Sequence, residues 1–390
     1  MDYTSIVSKG HNFKSGCAVV IFGIILFIGS FVLLWMNEAN YVKNIKMAKF
    51  IKDNVVSVSS NSPENNNKLV HYSGKITTNE ILADEYIKVN TPALDRKVEM
   101  YQWKENKYTS GSGSSKRREY RYQKVWSEHP ISSTNFHRSG HDNPPMPVRS
   151  ESFRAANSQI GVFSADIAVT DAIKPVQELP MNKSFLNSDI NVKYKLREAG
   201  LYLPSPYVKE YSSDYTPGVQ IGDIKITYRY IPVNTTVSVI AGQINNKLTS
   251  FDTAKYNIVL AETGTVSASG MIQHFEDKQT MQVWKIRLIG IVLMFIGIML
   301  LVSPITAILS FIPLFGDISK HAVGLLAAVI SVCLSIITIS VSWITVRPEI
   351  AIPVVIAAAG GIFFYLTSGG GGSKNIPPAS KNPQQPMPPV

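Results

Sequence analysis

The chain has 390 residues, a net charge of +10 and a 45% hydrophobic composition with only two cysteines. Both cysteines, Cys17 and Cys333, lie in apolar stretches, so the polar part of the chain can build neither a disulfide framework nor a thiolate zinc site. The basic balance admits nucleic acid or anionic lipid as partner, and four long apolar runs favour lipid and argue against nucleic acid.

The first run is Cys17–Met36. Crossing the hydrocarbon core takes roughly 20 apolar residues, a length that this run reaches. Lys9, His11 and Lys14 precede it like the charged region of a signal peptide. The run is longer than the roughly 7–15 residues of a signal core, however, and no small-residue cleavage site follows, so it reads as an uncleaved anchor. Beyond it, Lys43, Lys46, Lys49 and Lys52 recur at every third residue of Asn37–Asp53. They read as a solvated helical face, with a short juxtamembrane helix on anionic lipid as the alternative. Ser57–Lys68 is a loop by composition.

The polar insert reads mainly as β-structure. Val70–Ile76 is a predicted strand. Val98–Trp103 and Tyr120–Trp126 are aromatic and β-branched, and the Gly-Ser-rich tip at 111–115 between them makes a long hairpin. Ile224, Ile226, Tyr228 and Tyr230 alternate with Lys225, Thr227 and Arg229, the pattern of a half-buried strand. Thr236–Ile244 and Tyr256–Ala261 are further strands, and Asn143–Pro147 forces an irregular connection. Met271–Lys285 has a helical pattern that runs into the second apolar run, Leu288–Phe315.

Pro304 interrupts that second run. The piece after it, Ile305–Phe315, reads as an interfacial or re-entrant segment, with a kinked longer helix as the competing view. Ala322–Val346 and Ile350–Thr367 are the third and fourth runs, joined by the tight turn Arg347-Pro348-Glu349. None of the four runs contains Asp, Glu, Lys or Arg. The fold class that follows is a polytopic α-helical membrane protein with four spans and a large β-rich domain between spans one and two. Its segments are an N-terminal tail (1–16), span one (17–36), the extramembrane domain (37–283), span two (284–303), the interfacial segment and loop (304–320), span three (321–346), span four (349–367) and a disordered Gly/Pro-rich tail (368–390).

Small residues mark faces where helices can approach closely: Gly16, Gly23 and Ser30 in span one, Gly290 and Gly297 in span two, and Ala327, Ser331 and Ser335 in span three. Ser331, Ser335, Thr338 and Ser342 share one face of span three, which suits helix–helix hydrogen bonding or the lining of a pore. Four spans put both termini on the side opposite the domain. Near the span ends, Lys and Arg are more numerous on the domain side, but the insert far exceeds the loops for which that charge rule holds, so charge leaves the orientation open.

No nucleophile elbow, phosphate-cradling loop or dinucleotide glycine pattern is present, no cofactor is implied, and the chain reads as a protein without catalytic residues. His137, His141 and Asp142 have the H-x3-H spacing of a metal pair, yet Gly140 and the neighbouring prolines oppose the helix that this spacing needs. A loop that hydrogen-bonds its own backbone is the better account. Alternating aromatics in Lys116–Trp126 read as strand core rather than as a nucleic-acid platform.

Several short strings resemble the LUMA family, that is, the transmembrane protein 43 family. They are Asn37-Glu38, Val70-His71, Val98–Trp103 with Glu99, Tyr101 and Trp103, the Tyr120/Tyr122/Trp126 stretch, Gly140-His141 with Asn143-Pro144, Gly222-Asp223, Phe311–Phe315 and Arg347-Pro348. The resemblance implies four spans and a large domain in the endoplasmic reticulum lumen, or outside the cytoplasm in a bacterial homologue, toward which the Asn- and Lys-rich composition leans. Eukaryotic members reside in the endoplasmic reticulum and inner nuclear membrane, self-associate, and bind nuclear-envelope proteins such as emerin and lamins; links to lipid metabolism have been suggested. The proline-rich tail departs from the basic ending of the family, and a bacterial homologue would lack lamin partners. The resulting expectation is a non-enzymatic scaffold that contacts membrane lipids, oligomerises and organises partner proteins, with an ion channel or a lipid-binding protein as the alternatives.

Overall fold

The computed structural model describes residues 3–110, 117–188, 190, 192–207, 216–218, 220–309 and 318–346. Among the described residues, three helices are long and apolar enough to cross a membrane. They are α1 (Tyr3–Asn54), α3 (Ala268–Leu309) and α4 (Ile318–Val346); the six-residue α2 (Ile167–Ala172) lies in the insert. The predicted fourth span and the tail after it lie outside the described residues, as do the Gly-Ser hairpin tip and the whole of Phe311–Phe315.

The chain divides into a helical unit, 1–46 with 278–390, and a β-rich unit, 47–277. Within the helical unit, α1 and α3 run antiparallel. Gly297 is so close to α1 that a Cβ on it would stand 2.8 Å from the backbone nitrogen of Phe27, and a Cβ on Gly290 would stand 2.5 Å from the Leu34 side chain. Leu34, Met294, Ile298 and Ala327 form the buried contact among α1, α3 and α4. Ser331 and Thr338 donate to carbonyls of their own helix, Ser335 to the Met294 sulfur and Ser342 to the Trp35 carbonyl. All four hydroxyl residues are buried, so this face packs inside the helical unit.

The four lysines Lys43, Lys46, Lys49 and Lys52 are exposed, as a solvated helical face requires. Asn37–Asp53 is not a separate surface helix but the continuation of α1, because no proline or glycine intervenes before Asn54. Helix α3 passes through Pro304 to Leu309, so the first residues of the predicted interfacial segment are helical, and the rest of that segment, 310–315, lies outside the described residues. Proline leaves the carbonyl four residues earlier without its donor. That carbonyl belongs to Leu300, and the Ser303 hydroxyl donates to it at 2.8 Å, the side-chain repair that membrane helices use.

The β-rich unit holds two large sheets. In the first, Leu69–Thr78, Ser158–Ile160, Phe163–Ala165, Lys247–Thr249 and Thr235–Ile244 pair in that order, and Thr235–Ile244 pairs back onto Leu69–Thr78. The five strands therefore close into a ring. Alternate residues point inward: Val70, Tyr72 and Ile76 from one strand meet Val237, Val239 and Ala241 from another, with Phe163 and Leu248. The outward set, Leu69 and Ile240, packs with Ala48 and Ile51 of α1 and with Met271 and Ile272 of α3. Burial of each large apolar side chain contributes about 1.5–3 kcal/mol, so the last turns of α1 are held by the sheet.

The second sheet is antiparallel, in the order Lys195–Arg197, Gly200–Leu203, Ile224–Tyr230, Ala93–Ser110, Arg117–Ser127. Leu94, Val98, Met100, Leu201, Ile224, Ile226 and Tyr228 form its core. A buried ion pair closes it. Arg96 Nη1 donates to Asp84 Oδ2 at 2.9 Å, and the Tyr228 hydroxyl donates to the same oxygen at 2.6 Å. The amides of Tyr86 and Ile87 donate to Asp84 Oδ1. Burial opposes the Arg96 cation, but the hydrogen bond and charge of Asp84 overcome it and its pKa is raised.

Candidate functional site

The family-type positions of the insert converge on one edge of the hairpin strand Ala93–Ser110. Strand Ile224–Tyr230 accompanies that strand only as far as the Ile224–Met100 pair. The next residue, Tyr101, is taken by Gly222 and Asp223: the Tyr101 amide donates to the Asp223 carbonyl and the Gly222 amide to the Tyr101 carbonyl, both at 2.8 Å. Two residues on, the Asn143 side chain does the work of a strand. Its Oδ1 accepts from the Trp103 amide at 2.7 Å and its Nδ2 donates to the Trp103 carbonyl at 2.9 Å. Gly222 has φ +93°, and a Cβ there would meet the Ser205 hydroxyl and the Pro144 ring, so a side chain is barred on both counts. Asp223 is fully buried, and its carboxylate accepts from the amides of Ser205, Gly218 and Gln220. Glu99 lies between Lys97 and Lys225.

One face of the hairpin carries rings. Tyr101 pairs across the strands with Trp126, Trp103 with Lys124, Glu105 with Tyr122 and Lys107 with Tyr120. Tyr101 and Trp126 have centroids 5.1 Å apart, and the Lys124 ammonium stands 5.1 Å from the Trp103 ring. The segment 128–150 has no helix or strand, and part of it lies across this face as a strap. His141 stacks on Tyr122 at 3.9 Å and meets Trp103 edge-on at 4.6 Å, and His137 stacks on Tyr120 at 4.1 Å. Glu105 Oε2 accepts from the Tyr122 hydroxyl at 2.5 Å and from the His137 amide at 2.6 Å. These two donors hold its carboxyl below the usual carboxylate range. On the other side of the strand, buried Gln102 donates to the carbonyls of Ser127 and His129 and accepts from the Ile131 amide. The loop bonds to its own backbone, as expected, with Asn143 Nδ2 donating to the Ile131 carbonyl and the Phe136 amide to the Ser133 carbonyl, and it also bonds to the hairpin, which offers an open strand edge and a ring face. Gly140, at φ +83°, makes the turn that brings His141 down.

The two histidines lie on tyrosine rings, and among the described residues no group of three or more His, Cys, Asp and Glu is placed to share a metal ion. The chemistry on offer is recognition: half-exposed rings beside imidazoles, with Lys107, Lys124 and Arg138 at the rim.

The helical unit holds a polar centre that the composition of the spans concealed. Glu38 is fully buried, and Arg287 forks onto it, Nε to Oε1 at 2.8 Å and Nη2 to Oε2 at 2.7 Å. Trp343 Nε1 donates to Oε2 at 2.8 Å, so one carboxylate joins α1, α3 and α4. Both charges lie just beyond the ends of apolar runs on spans that antiparallel packing brings together, which is the signal that identifies them. Of the small residues, Gly290 and Gly297 lie against α1, Ala327 belongs to the three-helix contact, and Ser331 and Ser335 are buried beside it.

The family profile described as Transmembrane protein 43 matches residues 100–348, which contain most of the hairpin, the strap, Gly222-Asp223, Arg287 and Trp343. Transmembrane protein 43 of Rattus norvegicus and of Homo sapiens are each 28% identical over 347 residues, covering 84% of this chain and 84% of theirs. The Transmembrane protein 43 homolog of Drosophila melanogaster is 26% identical over 365 residues, covering 88% of this chain and 93% of its own. No solved structure matches. The chain belongs to the transmembrane protein 43 family.

Proposed function

We propose that the protein is a membrane-anchored scaffold. The β-rich unit presents the strapped ring face of its hairpin to a partner protein, and the helices anchor and self-associate. The observation that carries this reading is the strap: a long segment without secondary structure, held by Asn143, Gln102, Glu105 and Tyr122 so that rings and imidazoles stay half-exposed. Long ordered loops are uncommon unless they serve a function. The hydroxyl face that would line a pore is packed within the helical unit, which supports the scaffold over the channel. The location proposed is the endoplasmic reticulum and inner nuclear membrane in a eukaryotic cell, with nuclear-envelope partners there, or the cell membrane in a bacterium. In either case the β-rich unit is placed on the lumenal or extracytoplasmic side.

Crosslinking in native membranes tests the proposal. Homo-oligomers and at least one partner should be captured, and Tyr120→Ala with Trp103→Ala should reduce partner capture while leaving the homo-oligomer intact. A strictly monomeric protein that captures nothing sinks it.

A further inference from the structure

A groove of about 440 Å³ runs between α1 and α3 inside the helical unit. One end is apolar, with Leu33 and Met36 of α1 and Ile286 of α3. The other end is polar, with Asn40 and Lys43 of α1 and Gln282 of α3. The gradients on the two helices run the same way because the helices are antiparallel in a fixed register: the Asn37 amide donates to the Val283 carbonyl, Tyr41 meets Thr280, and Asn44 donates to Gln279.

Three tryptophans mark where the change of polarity falls. Trp284 on α3 and Trp343 on α4 flank the Glu38–Arg287 pair, and Trp35 precedes Glu38 by one turn of α1. Trp343 binds Glu38, the Arg287 guanidinium lies 4.7 Å from the Trp284 ring centroid, and Ser342 reaches the Trp35 carbonyl. Tryptophan collects at the membrane–water boundary, where its ring sits at headgroup level. The groove straddles that level, with its apolar end on the hydrocarbon side and its polar end on the headgroup side.

The charges are arranged for an anion. Lys43 is exposed and has neither a hydrogen bond nor an ion pair among the described residues. Lys49, two turns on, is paired with Asp53 at 2.9 Å. The acid closest in sequence to the groove, Glu38, is taken by Arg287 and Trp343. Lys43 thus leaves one ammonium to pair with an incoming group, and the Asn40 and Gln282 amides add donors beside it.

We propose that this groove binds an anionic glycerophospholipid, its phosphate held by Lys43, Asn40 and Gln282 and an acyl chain lying along Leu33, Met36 and Ile286. The assignment holds whether or not the chain self-associates. Native mass spectrometry of the full-length protein in detergent tests it, with added dioleoyl phosphatidic acid, dioleoyl phosphatidylcholine or inorganic phosphate. Phosphatidic acid should be retained in preference to phosphatidylcholine. Lys43→Ala should lower its retention about fivefold, the effect of one cation at an anionic lipid surface. Lys43→Arg should preserve retention, and Lys49→Ala should leave it unchanged. Equal retention of the two lipids, equal retention by Lys43→Ala and the parent protein, or displacement by inorganic phosphate at matched concentration would overturn the assignment. Lys43 is exposed, so Lys43→Ala should melt with the parent protein; if it does not, the comparison of Lys43→Arg with Gln282→Leu decides in its place.

Discussion

Single carboxylates hold this molecule together at positions where burial makes them costly to disturb. Asp84 accepts from Arg96, Tyr228 and two amides in the second sheet, and Tyr86 lies beside it. Burial, with the nearby Glu85 charge, pushes the Tyr86 phenol up to about 12, against about 10 for a free tyrosine. Burial and Asp84 push Tyr228 up further. The fold prefers the neutral phenols, so their contribution to stability is complete below pH ~10 and is lost as pH rises through the folded values. On alkaline titration, two of the 17 tyrosines should therefore ionise only together with loss of circular dichroism. If every tyrosine ionises while the fold persists, this core is wet. Glu38 plays the matching part among the helices. Glu38→Ala leaves Arg287 without its carboxylate, and breaking a buried pair costs about 3–5 kcal/mol. Its melting temperature in detergent should fall well below that of Lys43→Ala.

At the scale of elements, the spacing of residues reveals more than their chemistry does. Ile224–Tyr230 is legible as a strand because one face is buried and the alternation is strict. The Leu69–Thr78 and Thr235–Ile244 strands are legible too, but the ring that they close with three short strands is not, since pairing between distant segments leaves no local trace. The hairpin edge was legible only as disconnected strings. VEMYQW, Gly140-His141 with Asn143-Pro144, and Gly222-Asp223 turn out to be successive backbone partners of one strand and the loop that covers it. Repeated small residues point to close approach of helices without giving its strength. The structure grades two of them. A Cβ on Gly297 would strike the backbone of Phe27, which cannot move alone, whereas one on Gly290 would strike the side chain of Leu34, which can change rotamer without moving its helix. Gly297→Ala should therefore lower the thermal stability of the detergent-solubilised protein more than Gly290→Ala. The reverse order would mean that α1 and α3 pack less closely than described.

For the whole molecule, the property that decides function is which side of the membrane carries the β-rich unit, and neither lysine counts nor helix packing decides it. The lysines near the ends of α1 and α3 favour the cytoplasm by the simple charge rule, but that rule weakens for an insert as long as 37–283. The fold supplies a cleaner probe. The sequons Asn182-Lys183-Ser184 and Asn234-Thr235-Thr236 both lie in the β-rich unit, and both asparagines are exposed. Asn182 caps a short 3-10 turn, accepting from the Ser184 amide at 2.9 Å, and Asn234 sits at φ +67° just before the Thr235–Ile244 strand. Neither is buried in a core that would hide it from a glycosyltransferase during synthesis. With the unit in the lumen, expression in a cell with an endoplasmic reticulum should add two glycans. Asn182→Gln and Asn234→Gln should each remove one, and the unit should resist protease added to sealed microsomes. An unglycosylated chain whose β-rich unit is digested in sealed microsomes would place it in the cytosol. The strapped ring face would then meet cytosolic partners, and the Lys43 groove would open on the cytoplasmic leaflet, where anionic lipid is most abundant.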